Sequence, residues 1–198
     1  LTETDEPTQS GIYTIQSRNK RAPVDVYCDL ETAGGGWLLV GRSVGSNDNN
    51  SFGWGFGTGS LSDDANPYSV NVKVHDFPFE EVLIGTWSEG KAWGDHIYRY
   101  SVPEDLLTHE DDLVPTKFLE NVHGDCKPPD GPAILNYTGA TNKTAAFFFR
   151  NIQKIDEADY GLLHDQLWTF NFDPPDDCLS GGMLTNKQGM LMIRPSPP

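Results

Sequence analysis

The sequence predicts an α+β domain in which strands and long loops dominate and helices are short. Three observations predict it. Glycine and proline are abundant, 20 and 14 among 198 residues, which suits turns and breaks long helices. The apolar fraction is 37 %, below the usual value of about 45–50 %, while aromatics are plentiful enough to build a core. Period-two alternation recurs along the chain, and helical periodicity is rare.

Residues 1–9 are polar and acidic and read as a linker. Val24, Val26, Cys28 and Leu30 then alternate with Asp25, Tyr27 and Asp29, the period of a half-buried strand. Residues 37–40 form a short apolar run after glycines, as a buried strand would. Val70, Val72 and Val74 alternate again. Residues 81–87, 96–102, 145–152, 166–172 and 190–193 are rich in β-branched and aromatic side chains and read as strands. Helix signals are two: Ser101 and Glu104 at capping-box spacing ahead of Leu106 and Leu107, and the segment 152–163. Loops are expected at 46–62 and around Pro128, Pro129 and Pro132. No repeat period and no boundary is visible, so 10–195 is read as one domain and 196–198 as a Pro-rich tail.

Charge narrows the partners. The formal net charge is −15, from 14 basic and 29 acidic residues, so the surface repels nucleic acid, anionic lipid and heparin-like polymers. No apolar run reaches membrane-spanning length, and membrane insertion is not expected. No signal-peptide pattern opens at Leu1, and the sequence is read as a mature chain or a piece of one. An acidic excess suits an extracellular surface or one that takes divalent cations. Asn49, Asn136 and Asn142 each open an N-x-S/T pattern, and three together favour secretion with glycan attached there. The cysteines are Cys28, Cys126 and Cys178. They lack zinc-site spacing, and the odd count leaves one thiol over. Spacing alone leaves all three pairings open.

Catalytic patterns fail their context tests. Gly41-Arg42-Ser43-Val44-Gly45 is a G-x-S-x-G match after a strand, which would make Ser43 a hydrolase nucleophile. That chemistry needs a strand-to-helix turn to expose the hydroxyl, and the following SNDNNSFGWGFG tolerates no helix. The run 53–59 does not fit G-x-G-x-x-G, and no helix follows to bind a phosphate. His109-Glu110 lacks a second histidine for zinc. The five histidines are scattered. The sequence is therefore read as non-enzymatic.

The stretch YCDLETAGGGW, residues 27–37, is more specific. A strand ends at Asp29-Leu30, glycines permit a tight turn, and Trp37 enters the core. The stretch closely resembles the start of fibrinogen-like domains, which typically carry S-G-x-Y-x-I and then V-x-C-D-M-x-T-x-G-G-G-W. Here Ser10-Gly11-Ile12-Tyr13-Thr14-Ile15 precedes Val26-Tyr27-Cys28-Asp29-Leu30-Glu31-Thr32-Ala33-Gly34-Gly35-Gly36-Trp37. The family's closing strand, M-x-I-R-P, is matched by Met192-Ile193-Arg194-Pro195. Phe56-Gly57 resembles its G-F-G segment. The centre, 66–165, is divergent.

The resemblance implies a fibrinogen C-terminal-like fold: a small N-terminal sheet, a central twisted antiparallel sheet with short helices, and a long-looped C-terminal part. It implies a non-catalytic extracellular module, secreted or in an ectodomain, that recognises a protein or glycan at the cell surface. It further implies calcium in the loop 173–177, with Asp173, Asp176 and Asp177 as ligands. The family's mate for Cys28 would lie before Leu1, which implies a Cys126–Cys178 disulfide and a free Cys28. The family's tryptophan-rich segment has no room in 179–189, which shifts weight from a sugar pocket to protein binding or to an architectural domain of a larger adhesion or receptor protein.

Overall fold

In the computed structural model the described residues are 9–16, 22–44, 57–63, 66–86, 97–103, 107, 113–115, 117–123, 133–135, 145–148, 161–164, 168–169 and 188–195. In chain order they form β1 (Gly11–Ile15), β2 (Val24–Asp29), β3 (Trp37–Val44), β4 (Tyr68–Ser69), α1 (Val72–His75), β5 (Glu81–Thr86), β6 (Ile97–Ser101), β7 (Leu113–Pro115), β8 (Lys117–His123), β9 (Ala133–Leu135), β10 (Ala145–Phe148), β11 (Gly161–His164), β12 (Trp168–Thr169) and β13 (Gln188–Arg194). This part of the chain is mostly antiparallel sheet. Its helical content is the four-residue α1 and a 3-10 turn at Thr32–Gly34.

The main sheet has the order β1-β2-β3-β13-β5-β6-β8, with β4 beside β3, and every pairing is antiparallel. Two small sheets, β10-β11-β12 and β7-β9, complete the described elements. The last strand in sequence lies in the middle of the main sheet. A strand covered on both faces needs apolar side chains at every position. β13 supplies them: Met190, Leu191, Met192 and Ile193 are all buried. With Trp37, Leu39, Val40, Val82, Leu83 and Ile84 they make the centre of the core.

Most expected strands are present, and two expectations are corrected. Residues 70–74 do not continue as a strand. Val70 N–H still donates to Val40 C=O at 3.0 Å, extending β4. The Asn71 side chain then accepts from Val74 N–H at 2.8 Å and caps α1, which Asp76 ends in the left-handed conformation. A short polar side chain at the right place overrides the valine alternation. Of the segment 152–163, read as able to hold one short helix, residues 161–163 instead begin β11, which pairs with β10 and β12, and 152–160 lie outside the described residues. Ser43 does not sit at a strand-to-helix elbow: it lies inside β3, opposite Gly189 of β13.

Between β2 and β3 the backbone is left-handed at four successive residues, Ala33, Gly34, Gly35 and Gly36, with φ of 46°, 86°, 75° and 77°. Gly35 tolerates no side chain, because a Cβ there would lie 2.4 Å from the Leu30 carbonyl oxygen. Gly35→Ala is expected to cost about 2–3 kcal/mol, from a left-handed alanine plus the shift that clash forces. Urea unfolding measures it. A loss below about 0.5 kcal/mol, the scale of an ordinary surface change, would mean that the turn is not held in this shape.

Candidate functional site

The glycine turn is fixed from three sides. Asp29, at the end of β2, is 3 % exposed. Its Oδ1 accepts from the backbone N–H groups of Glu31 and Thr32, both at 2.9 Å. Leu30 N–H donates to Ser10 Oγ at 2.9 Å, tying the turn to the residue before β1. Trp37 is fully buried, and its Nε1 donates to Thr32 C=O at 2.8 Å. The C-D-x-x-T-x-G-G-G-W order is thus a folding device in which the Asp29 and Trp37 side chains satisfy backbone groups that the turn would otherwise strand.

The fourth tie comes from the far end of the chain. Arg194 Nη1 donates to the carbonyls of Ala33 and Gly35, both at 3.0 Å. Its guanidinium lies over the Trp37 ring, 4.2 Å from the centroid. Its Nε donates to Glu81 Oε2 at 2.8 Å, and Nη2 donates to the same oxygen. Glu81 also receives Arg99, whose Nη2 reaches Oε1 at 2.7 Å, and Arg99 Nη1 reaches Glu120 Oε1 at 2.7 Å. A row of alternating partners therefore crosses five neighbouring strands: Trp37, Arg194, Glu81, Arg99, Glu120. Burial pushes the Glu81 carboxyl up, but the hydrogen bonds from Arg99 and Arg194 outweigh it and hold the group below the usual carboxylate range.

A groove opens where the sheet forks. β2 pairs with β3 only through Cys28–Leu38 and Asp29–Trp37. Further along β3, at Gly41 and Arg42, β4 takes the neighbouring place, and Thr58 bridges to Ser69 beyond it. The Val24–Asp25 end of β2 is left apart from residues 57–62. The space between them is about 550 Å³, lined by Ile12, Val24 and Asp25 on one side and by 57–62, Tyr68–Asn71 and His75 on the other. Buried Arg42 holds the far wall: its Nη2 donates to Asp63 C=O at 2.6 Å, with the Ser60 and Asn66 carbonyls at 3.5 Å. Burial pushes the Tyr68 phenol up to about 12, so it stays protonated in the groove.

The residues expected to carry function lie mostly elsewhere. Asp173, Asp176 and Asp177, Cys126 and Cys178, and Asn49, Asn136 and Asn142 are outside the described residues. Cys28 is half-buried with a free thiol, which burial pushes up and so keeps protonated and unreactive at neutral pH. Among the described residues no three His, Cys, Asp or Glu side chains gather as a metal site, and no helix is long and apolar enough to cross a membrane. Sequence reading missed Glu81, Arg99 and the fork. Arg194 stood inside a quoted motif, but nothing local to that motif shows which residues it meets.

Residues 3–64 match the family model described as fibrinogen beta and gamma chains, C-terminal globular domain. Angiopoietin-4 of Mus musculus is 55 % identical over 31 residues, 16 % of this chain and 6 % of that protein. Angiopoietin-2 of Bos taurus is 46 % identical over 35 residues, 18 % of this chain and 7 % of that protein. The matched stretches thus span well under a tenth of those relatives. The fibrinogen-like globe domain of human ANGPTL2 aligns over 96 % of this chain and 94 % of its own, at 17 % identity and a TM-score of 0.47. Residues 3–64 are thus similar to part of a fibrinogen-like globular domain.

Glu81→Gln tests the charge row. Removing the shared carboxylate leaves two part-buried arginines short of their acceptor and is expected to cost about 1–3 kcal/mol at pH 7. The acid limb gives a second readout. Because the folded carboxyl is held low, its stabilisation is present above the unfolded pKa, about 4.3, and is lost as pH falls through the folded value. Urea midpoints followed from pH 6 to 3 should fall less steeply in Glu81→Gln than in the parent. Equal slopes and equal stability would show that the row is ornamental.

Proposed function

We propose that the chain is a non-catalytic extracellular recognition module of fibrinogen-like type that binds a protein or glycan partner and is stabilised by calcium. The observation that carries this reading is the match of residues 3–64 to the fibrinogen C-terminal globular domain. The chemistry of the matched stretch supports it: Ser10, Asp29, Thr32 and Trp37 all serve the turn, and Ser43 sits within a paired strand rather than at an exposed elbow. Calcium is assigned to the loop 173–177. Asp173, Asp176 and Asp177 would supply carboxylates, and backbone carbonyls or Asp165 would complete the six to eight oxygens that the ion takes.

An architectural role within a larger adhesion or receptor protein is the second reading. It is favoured by 179–189, which is too short for the family's tryptophan-rich pocket segment. A glycan array, run with and without calcium beside a pull-down from cell-surface extract, separates the two. Selective capture of a glycan or protein is expected, and silence in both formats favours the architectural reading. Excess calcium is expected to raise stability by about 2.7 kcal/mol at a hundredfold excess over Kd. Asp173→Ala and Asp176→Ala should remove that gain. Identical unfolding midpoints in calcium and in chelator would remove the ion, and a gain surviving both substitutions would place it at other carboxylates.

Extracellular placement entails two covalent consequences. Glycan is expected on one or more of Asn49, Asn136 and Asn142, with Asn49 foremost because it sits in the most polar segment. A Cys126–Cys178 disulfide is expected, with Cys28 unpaired. Non-reducing peptide mapping of protein from a eukaryotic secretory host reads both. Three bare asparagines would count against secretion, and a Cys28 cross-link to either other cysteine would overturn the pairing.

A further inference from the structure

The groove at the fork has features that the calcium-loop reading does not use. β1 is an edge strand, paired only with β2 among the described residues. Ile12, on that strand, is 55 % exposed, the exposed large hydrophobic side chain of the described part. It sits at the mouth of a space of about 550 Å³. Asp25 lines the same mouth and is the only carboxylate in the lining among the described residues. It is exposed, and Thr14 Oγ1 donates to its Oδ1 at 2.6 Å, which fixes its direction and leaves Oδ2 for another donor. The 57–62 wall is held in place by Arg42, so the space is bounded on both sides.

These observations select among ligands. Among the described residues the lining offers no exposed aromatic face for a sugar ring: Tyr68 is buried, and His75 stacks on Phe77 with ring centroids 5.4 Å apart. An anionic ligand would meet Asp25 and a chain of net charge −15. A cation is favoured instead, close to an apolar group that covers Ile12. Along an extended chain alternate residues face the same way, so neighbouring positions of one strand can present the two kinds of group to the two kinds of surface. Sheet edges and gaps between strands commonly take such segments.

We propose that the fork between β2 and residues 57–62 is a docking groove for an extended segment of a basic protein partner, with a lysine or arginine on Asp25 and an apolar side chain on Ile12. The site is separate from the loop 173–177. It rests on the reading of the chain as a recognition module and specifies the class of partner.

The probe is a short fluorescent peptide of alternating valine and lysine, with a valine–glutamate peptide as its opposite, followed by polarisation on the intact chain. The parent should bind the lysine peptide and not the glutamate one, more weakly as salt rises. Ile12→Asp should weaken binding by about tenfold or more, and Asp25→Asn by about fivefold. Asp25→Asn removes one charge of many, so attraction to the general acidic surface would barely change. Asp25→Lys should reverse the preference towards the glutamate peptide. Both residues are exposed, and circular dichroism with thermal unfolding checks that each variant folds. No binding by the parent, equal binding by parent and Asp25→Lys, or displacement of the peptide by a neutral oligosaccharide would overturn the proposal. Should the pull-down capture a partner that Ile12→Asp and Asp25→Lys retain undiminished, the recognition reading stands and the groove falls.

Discussion

One guanidinium joins the two ends of this fold. Arg194, on the last strand, meets the carbonyls of Ala33 and Gly35 across a sequence separation of about 160 residues, lies on Trp37 and binds Glu81. Lysine could not replace it, because a point charge cannot address a carboxylate, two carbonyls and a ring face together. The rest follows from where that residue sits. β13 lies between β3 and β5, so neither half of the main sheet is complete until the end of the chain arrives. The contacts that close the core are therefore among the most distant in sequence, and such topologies fold slowly.

The same arrangement separates stability from recognition. Polar groups at the clasp are consumed internally: Asp29 by backbone amides, Glu81 by two arginines, Trp37 Nε1 by a carbonyl. Such groups are poorly placed to meet a partner. What the described surface leaves for a partner lies at the periphery, where β1 ends the sheet and β4 parts from β2. Fold alone does not decide what is bound there. The exposed Asp25 carboxylate at the groove and the apolar Ile12 beside it narrow the choice by charge and shape.

The sequence was most legible where the code is local. Alternation and apolar runs located β2, β3, β5, β6 and β13, because burial on one or both faces writes itself directly into the residue order. The glycine turn was legible because left-handed backbone demands glycine, although Ala33 takes the same conformation without it. Valine alternation misled at 70–74, where one asparagine cap redirected the chain. The extent of the charge row was not legible. Arg99 and Glu120 share it only because β6 and β8 pair in that register, and register is a property of the assembled sheet. The fork was hidden for the same reason: it exists because β4 occupies the place beside Gly41 and Arg42 that β2 would have filled.

The central claim is that Arg194 holds the glycine turn in its strained shape. Hydrogen exchange on Arg194→Lys tests it most directly, because the amides of Glu31, Thr32 and Gly35 donate to partners at the turn and that of Leu30 to Ser10 beside it. The account predicts that these four amides exchange about ten- to a hundredfold faster in the variant, equivalent to the loss of one to two charge-assisted hydrogen bonds, while the buried amides of Leu191–Ile193 change much less. Unchanged exchange at Glu31, Thr32 and Gly35 would contradict it and would leave the turn standing on Asp29, Ser10 and Trp37 without Arg194.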